Sequence, residues 1–206
     1  MDQRADSAQQ RLLKAAKTLF AQRGYEQTST AAIVRSAGTS ESQLMRHFGG
    51  KRGLLSAVFD DGWRVLNEQV AQRVRKTTDP IAAIETLFAT VIEAFHRDHD
   101  LAYLFLFEGR RIREGGRHLE LSEGYQEFLR LLQQLIRVAQ QSGSITKNFS
   151  APALASALIG ATEGMIRDVM IAKLSGRTQP FPRTQVQSVF TAFLRCTPAS
   201  TDRPKK

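Results

Sequence analysis

The stretch from Ser40 to Phe48 carries the side chains best suited to contact a nucleic acid. In this stretch, SESQLMRHF, Leu44 and Phe48 are four residues apart and predict the buried face of a short helix. The residues left on the outer face are Glu41, Ser42, Gln43, Met45, Arg46 and His47. Hydroxyl, amide and guanidinium groups hydrogen-bond to base edges, and the major groove presents those edges in a pattern that distinguishes all four base pairs. The stretch therefore predicts a helix that enters the major groove.

The residues before this helix predict a second helix and a tight turn that support it. The hydroxyl run TST at 28–30 can cap a helix start, and the buried face of that helix would be Ala32, Ile33 and Ala37. Gly38 occupies the turn, where a left-handed backbone is least costly for a residue without Cβ. Ser40 predicts the next N-cap, with Gln43 as its capping-box partner. This arrangement is typical of a helix-turn-helix, although the spacing alone also fits an ordinary helical hairpin.

A group of histidines and acids near residue 98 is the main candidate for a metal site. His96 and His99, spaced i and i+3, could chelate zinc or nickel beside Asp98 and Asp100, with His118 as a further ligand. The same histidines could instead stabilise a helix C-terminus through its dipole. The sequence has no glycine-rich phosphate loop, nucleophile elbow or motif of paired acids. We therefore expect neither an enzyme nor a bound metal or cofactor.

The aromatic residues in the middle of the chain are candidates for a small-molecule site. They exceed what one small helical core requires, and they are Trp63, Phe88, Phe95, Tyr103, Phe107, Tyr125 and Phe128. The alternative for each is core packing. Glu108, Arg110 and Arg111 could orient a polar or anionic ligand, or could be surface charges.

The whole chain has helical periodicity without strand-like alternation, which predicts an all-α fold of about nine helices. The first helix covers residues 7–23, and a long apolar stripe from Leu54 to Val74 predicts the fourth. Asp79 and Pro80 begin the next helix, with proline at its first position. Residues 101–112 are apolar almost all round and predict a buried helix. The tail 197–206 is predicted to be disordered.

Composition and charge favour a soluble protein that binds a polyanion. The net charge is +9, and residues 1–76 carry +6 of it. The polar start predicts no secretory signal, and no apolar run approaches the roughly 20 residues of a membrane span. The single Cys196 cannot form an internal disulfide, and it is either a bystander or a redox-sensing thiol. We expect a cytoplasmic protein.

The run LLKAAKTLFAQRGYEQTSTAAIVRSAGTSESQLMRHFGGKRGLLSAVFD resembles the N-terminal DNA-binding domain of the TetR family of bacterial transcriptional regulators. The shared features are the helix ending in LFAQRGY, the TST entry, the AGTS turn, L-x-x-x-F in the recognition helix and K-x-x-L-L at the start of helix four. They cover about residues 11–60. Thr39, Ser42, Gln43 and Met45 depart from the family pattern, and Met45 lacks the tyrosine hydroxyl that commonly contacts a phosphate there. The resemblance implies DNA contacts near Thr28, Ser29, Thr39, Ser40, Ser42, Gln43, Arg46, His47 and Lys51.

The chemistry of these side chains suggests roles for some of them. Gln43 could pair bidentately with adenine, and Glu41 could accept from cytosine or, as we favour, cap the helix start. The resemblance implies phosphate contacts from Thr28 or Ser29, from His47 and from Lys51. Its domain order predicts a DNA-binding domain at 1–52 and a helical domain for ligand binding and dimerisation at 53–196.

The resemblance also implies a homodimer formed by the last two helices, where small residues keep one helix face flat: Ala153, Ala157, Gly160, Ala161 and Gly164. Packing within the monomer is the alternative.

We expect a repressor that binds a palindromic operator. A small molecule that enters among helices four to seven and moves helix four would release the repressor from the operator. The alternative functions are a sequence-neutral DNA-binding protein, and a helical small-molecule or metal-binding protein with an incidental basic domain.

Overall fold

The computed structural model describes residues 7–108, 122–182 and 184–195, and all regular secondary structure in these ranges is helical. The elements are α1 (Ala8–Arg23), α2 (Thr30–Ser36), α3 (Glu41–Phe48), α4 (Lys51–Val74), α5 (Pro80–Arg97), α6 (His99–Tyr103), a π-helical segment (Leu104–Glu108), α7 (Glu123–Gln141), α8 (Ala151–Leu174) and α9 (Thr184–Arg195). The predicted all-α fold of about nine helices is confirmed for the part of the chain that the structure describes. None of the helices in the described ranges is both long and apolar enough to span a membrane.

Serine side chains cap the starts of α1, α2, α3, α7 and α8. Ser29, Ser40 and Ser150 accept from the backbone N–H groups of Ala32, Gln43 and Ala153 at 3.2, 3.4 and 3.3 Å. At the start of α1, Ser7 forms a complete capping box with Gln10. The capping box predicted for Ser40 is half formed, because the side-chain carbonyl of Gln43 accepts from Arg46 instead. These bonds satisfy backbone donors that have no partner within the first helical turn.

The turn between α2 and α3 is held by Gly38 and by an arginine of α1. Gly38 has φ +59°, in the left-handed region where only a residue without Cβ is unstrained. Arg11 donates from Nε to the Ala37 carbonyl at 2.9 Å and from its terminal nitrogen to the Gly38 carbonyl at 3.4 Å. These bonds satisfy carbonyls at the end of α2. They also fix the direction in which α3 leaves the turn.

The first of two compact units contains Met1–Val65 and Phe95–Tyr125. Its core joins α1, α2, α3 and the first half of α4 to the π-helical segment. The fully buried large side chains of this core are Leu12, Phe20, Ile33, Leu44, Leu54 and Leu104. Because Leu104 belongs to this cluster, the segment that follows α6 is part of the same hydrophobic core as the recognition helix.

The second unit contains Leu66–Ala94 and Gln126–Lys206. Within it, α7 buries Phe128, Leu132 and Ile136, and α8 packs against α9. Arg73 of α4 and Glu93 of α5 form an ion pair at 2.5 Å. The boundaries of the compact units do not coincide with the domain boundary at residue 52 that we predicted from the sequence. The first unit continues through Val65 and also contains Phe95–Tyr125.

Of the helix predicted at 101–112, residues 101–108 are described, and they are helical in two parts. α6 ends at Tyr103 and the chain continues as the π-helical segment, whose wider turn shifts the register of the side chains. Leu104 and Leu106 are buried, whereas Phe105 and Phe107 are half-buried. Arg110, Arg111, His118, Cys196 and the tail 197–206 lie outside the described residues.

Candidate nucleic-acid interface and effector site

The outer face of α3 is polar and exposed, as its sequence pattern predicts. Leu44 is only 1% exposed and anchors the helix on the core, and Phe48 is half-buried. The exposed residues of the helix are Glu41, Ser42, Met45, Arg46 and His47, and Gln43 is half-buried. Gly49, with φ +68°, ends α3 in the left-handed conformation. The result is a short helix with a fixed inner face and a free outer face.

Hydrogen bonds organise the side chains on this outer face. Arg46 donates to the Gln43 side-chain carbonyl at 2.8 Å, and its guanidinium also lies 3.5 Å from Nε2 of His47. Thr30 of α2 donates to the Glu41 carboxylate at 3.2 Å. That bond ties α3 to α2, so it agrees with a structural role for Glu41 rather than a contact with cytosine. The bond between Gln43 and Arg46 was not among our predictions, although residues three apart on a helix are neighbours and their spacing is visible in the sequence.

Thr28, which was predicted to contact DNA, is buried and hydrogen-bonded within the protein. Thr28 is 1% exposed, and its hydroxyl donates to the Gly24 carbonyl at 2.8 Å and the Leu19 carbonyl at 3.2 Å. It therefore closes the end of α1 and has no surface to offer a phosphate. Ser29, the alternative in the same prediction, is exposed and caps α2. Thr39 is half-buried, and its backbone N–H donates to the Val34 carbonyl at 3.0 Å.

The ammonium group of Lys51 is held at the start of α4 by Tyr25. Nζ of Lys51 donates to the Tyr25 carbonyl at 3.1 Å and lies 4.3 Å from the centroid of the Tyr25 ring. Tyr25 itself packs against Phe20, with ring centroids 5.4 Å apart. Burial, followed by the negative charge of Glu26, raises the pKa of the Tyr25 phenol. The phenol is neutral at physiological pH, and the ammonium lies over the ring as a cation–π contact.

The first unit contains a cluster of aromatic rings whose centre is Phe105. Phe105 stacks on Trp63 at 4.7 Å and on Phe59 at 5.5 Å, and it meets the ring of Phe95 edge-on at 5.7 Å. Tyr125 lies 5.1 Å from Trp63. Three of the residues predicted to line a small-molecule site therefore lie in this cluster: Trp63, Phe95 and Tyr125. Phe105, at its centre, was not among the predicted residues. Tyr103 and Phe107 stack on one another at 5.0 Å in the adjoining helix and π-helical segment.

Two predicted effector residues, Phe88 and Phe128, belong to the second unit instead. Phe88 is 2% exposed and lies against Phe190, with ring centroids 4.1 Å apart. Phe128 is 3% exposed and lies on the buried face of α7. Both side chains are core residues of that unit, so their aromatic character serves packing.

Polar contacts join α6 to α1 within the first unit. The Asp98 carboxylate caps α6 by accepting from the Leu101 backbone N–H at 3.0 Å, and it also forms an ion pair with Lys17 of α1. Thr18 donates to the Asp100 carboxylate at 2.9 Å. These bonds connect the helix that precedes Leu104 to α1.

An acidic residue lies close to the aromatic cluster on α4. The pKa of the Asp60 carboxyl is raised, first by desolvation and then by the charge of Glu123, while a hydrogen bond from Ser56 acts in the opposite direction. Its neighbour Asp61 forms an i, i+3 ion pair with Arg64 at 2.8 Å. The two adjacent carboxylates therefore have different surroundings, as expected for vicinal positions on a helix.

The histidines considered as metal ligands lie close together without completing a metal-ligand set. The ring centroids of His96 and His99 are 5.9 Å apart. Within the described ranges, no group of three or more histidine, cysteine, aspartate or glutamate side chains is arranged to hold a metal ion. Asp98 and Asp100, which the metal hypothesis would recruit, are bonded to α1 instead.

Comparison with known sequences finds a family match over the helix-turn-helix region. The family described as bacterial regulatory proteins, tetR family, matches residues 12–58. This range runs from α1 to the first two turns of α4. The chain is also 28% identical over 133 residues to the HTH-type transcriptional repressor KstR2 of Rhodococcus jostii (strain RHA1), which covers 65% of each protein.

Solved structures of similar fold extend over most of the chain. The transcriptional regulator FadR from Bacillus subtilis in complex with stearoyl-CoA has a TM-score of 0.78 at 17% identity, over 89% of this chain and 96% of that one. AibR in complex with isovaleryl coenzyme A and operator DNA has a TM-score of 0.72 at 19% identity, over 93% of this chain and 100% of that one. At these identities the likeness establishes a common fold.

Proposed function

The chain belongs to the TetR family of bacterial transcriptional regulators, and we propose that it represses transcription from a palindromic operator until a small molecule releases it. Like its relatives, it is a DNA-binding regulator and not an enzyme. Since a chromosomal operator is its target, we place its action in the cytoplasm. One observation carries the proposal: α3 has a buried apolar face that is fixed on the core and an exposed polar face.

This arrangement of α3 suits the major groove. A reading helix must keep its orientation when it enters the groove, and Leu44, the Ser40 cap and the Arg11 bonds at the turn provide that rigidity. We assign the DNA contacts to the predicted residues other than Thr28, namely Ser29, Thr39, Ser40, Ser42, Gln43, Arg46, His47 and Lys51. We retain residues 1–52 as the DNA-binding domain in the functional sense, since these contacts all lie within it.

We further propose that the operator is bound by a homodimer formed through α8 and α9. One helix-turn-helix contacts few bases, whereas two recognition helices about 34 Å apart read successive major-groove faces of a palindrome. The small-residue face of α8 supports the pairing, because Ala153, Ala157, Gly160 and Ala161 are exposed in the single chain. Val189 and Phe193 of α9 are also 50% and 47% exposed, although they are large and apolar.

For the effector, we propose a molecule with an apolar group, and an acyl-CoA thioester is the first class to test. FadR and AibR, which share the fold, are bound to stearoyl-CoA and isovaleryl coenzyme A respectively. The aromatic cluster around Phe105 offers apolar surface for an acyl chain within the first unit. We assign effector binding to Trp63, Phe95, Phe105, Tyr125, Tyr103 and Phe107, and we leave out the core residues Phe88 and Phe128.

The same contacts supply a route from the effector to the DNA. Phe105 contacts Phe59 and Trp63 on α4, and its neighbour Leu104 is buried in the core that supports α3. A ligand that displaces Phe105 would therefore shift α4 and change the separation of the two recognition helices. The ligand acts only through its different affinities for the two states, with a coupling of about 1 to 3 kcal/mol in typical systems.

The decisive experiment is selection of bound duplexes from a random library at about 0.15 M salt, where non-specific binding is weak. The proposal predicts enrichment of one motif with two-fold symmetry. Binding to that motif is then measured with acyl-CoA thioesters of increasing chain length, with free coenzyme A as the control. An effector of this class should weaken binding roughly 5- to 150-fold.

Other results of this experiment point to the alternative functions. Binding without enrichment of any motif would indicate a sequence-neutral DNA-binding protein. Absence of DNA binding by folded protein would indicate a small-molecule or metal-binding protein whose basic domain is incidental.

A further inference from the structure

Gln43 and Arg46 lie one helical turn apart on the exposed face of α3 and are bonded to each other. The Arg46 guanidinium donates to Oε1 of Gln43 at 2.8 Å. The guanidinium carries five N–H donors and no acceptor, so only the oxygen side of the amide can face it. The amide nitrogen of Gln43 therefore points away from Arg46.

The neighbours of this pair limit how it can rearrange. The Arg46 guanidinium lies between Gln43 and Nε2 of His47, which is 3.5 Å from it. Gln43 is half-buried and its backbone N–H is bonded to the Ser40 cap. The helix is anchored beneath them by Leu44. The two side chains thus form one unit on a fixed support.

The bonded pair presents a different chemical pattern from that of a free glutamine. A free glutamine amide offers one acceptor and one donor, which match N6–H and N7 of adenine. In the pair, Arg46 takes one of the two lone pairs of the Gln43 oxygen, and both Gln43 and Arg46 present N–H donors. Guanine is the base whose major-groove edge has two acceptors, O6 and N7.

We propose that Arg46 sets the base preference of Gln43, so that the pair reads guanine at a position where Gln43 alone would read adenine. The inference rests on the proposed function, since it requires α3 to lie in the major groove. For Gln43 to read adenine, the N6–H donor would have to share the Gln43 oxygen with Arg46 and lie beside the guanidinium charge. That charge repels the N6–H donors of adenine and attracts the O6 and N7 acceptors of guanine. Arg46 is therefore a specificity-determining residue that acts through its neighbour as well as directly.

The test uses the operator selected for the wild-type protein and compares variants on it. Gln43→Ala identifies the base pair at which preference is lost. At that position, the wild-type protein should prefer guanine over adenine by roughly 5- to 150-fold. Replacing that guanine by 7-deazaguanine, which lacks the N7 acceptor, should reduce affinity within the same range.

Arg46→Ala is the decisive variant, because it frees the Gln43 carbonyl. The preference at that one base pair should move from guanine to adenine, while affinity falls equally for all sequences through loss of a positive charge. Arg46→Lys, which keeps a charge and a donor, should retain the guanine preference. Both residues lie on the solvent side of α3, and circular dichroism checks that each variant is folded.

Three results would overturn the inference. The wild-type protein could prefer adenine at the Gln43 position. Arg46→Ala could lose the guanine preference without gaining one for adenine, which would mean that Arg46 reads guanine alone. Gln43→Ala could leave the preference at every base pair unchanged, which would mean that Gln43 reads no base. Failure to select any operator would instead overturn the proposed function, and the inference with it.

Discussion

At the scale of single residues, Lys51 combines the phosphate contact that we propose with contacts inside the protein. Its ammonium lies over the Tyr25 ring and donates to the Tyr25 carbonyl. We expect these two contacts to hold the Lys51 ammonium in one position. Its remaining N–H donors can then contact a DNA phosphate while the side chain keeps the rotamer that it has in the free protein. Lys51→Met, which keeps most of the side-chain stem, should weaken binding to all sequences and reduce the salt slope of log K by about 0.9.

The control for Lys51→Met is Lys173→Met, the same change of charge at an exposed residue in the last turn of α8. It should leave the salt slope unchanged. An unchanged slope in Lys51→Met as well would show that Lys51 serves only the packing of Tyr25.

At the scale of elements, Gly62 allows α4 to pack closely against α6 and the π-helical segment. A Cβ at this position would lie 2.6 Å from Cδ1 of Leu101 and 3.0 Å from Cζ of Phe105. The Phe105 ring contacts Phe59, Trp63 and Phe95, so a shift of the ring away from an added methyl group would disturb these contacts. Alanine gains roughly 1 kcal/mol of helix propensity, whereas overpacking costs about 1 to 3 kcal/mol. We expect Gly62→Ala to destabilise the protein, as measured by urea denaturation.

A double-mutant cycle separates the clash from a general effect on the helix. Leu101→Ala removes the atom nearest to the added methyl group, so the two changes together should be less destabilising than the sum of each alone. Additive effects, or a Gly62→Ala variant more stable than the wild-type protein, would contradict the packing described for Gly62.

At the scale of the whole molecule, the exposed face of α8 is where the proposed dimer can be tested without damage to the fold. A Cβ built on Gly160 meets no atom within 4 Å, so a large side chain there fits the single chain. In a close helix pairing, the same side chain would separate the two subunits. Gly160→Trp should therefore be folded but monomeric in sedimentation velocity, and it should bind the full operator much more weakly than the wild-type protein.

Lys147→Trp, at an exposed position between α7 and α8, is the control for the added bulk and should remain dimeric. If Gly160→Trp sediments as a dimer, the small-residue face of α8 is not the interface.

Most of the helices and the helix-turn-helix are predictable from local patterns in the sequence. Their signals are local: apolar spacing sets which face of α3 is buried, Ser40 caps the start of the helix, and Gly38 permits the left-handed turn before it. The exposed polar residues of α3 follow from the same spacing. The family motifs lie in this region as well, since the TetR-family match covers residues 12–58.

Only the tertiary structure decided which of the candidate side chains are available and which are occupied. Thr28 and Ser29 are equivalent as hydroxyls in the sequence, but the end of α1 brings carbonyls within reach of Thr28 alone. Phe105 became the centre of the aromatic cluster because of α4 residues distant in the chain, while Phe88 is buried against Phe190 in the second unit. The physical reason is common to these cases: a side chain's partners are set by packing between distant segments, and local spacing carries no information about them.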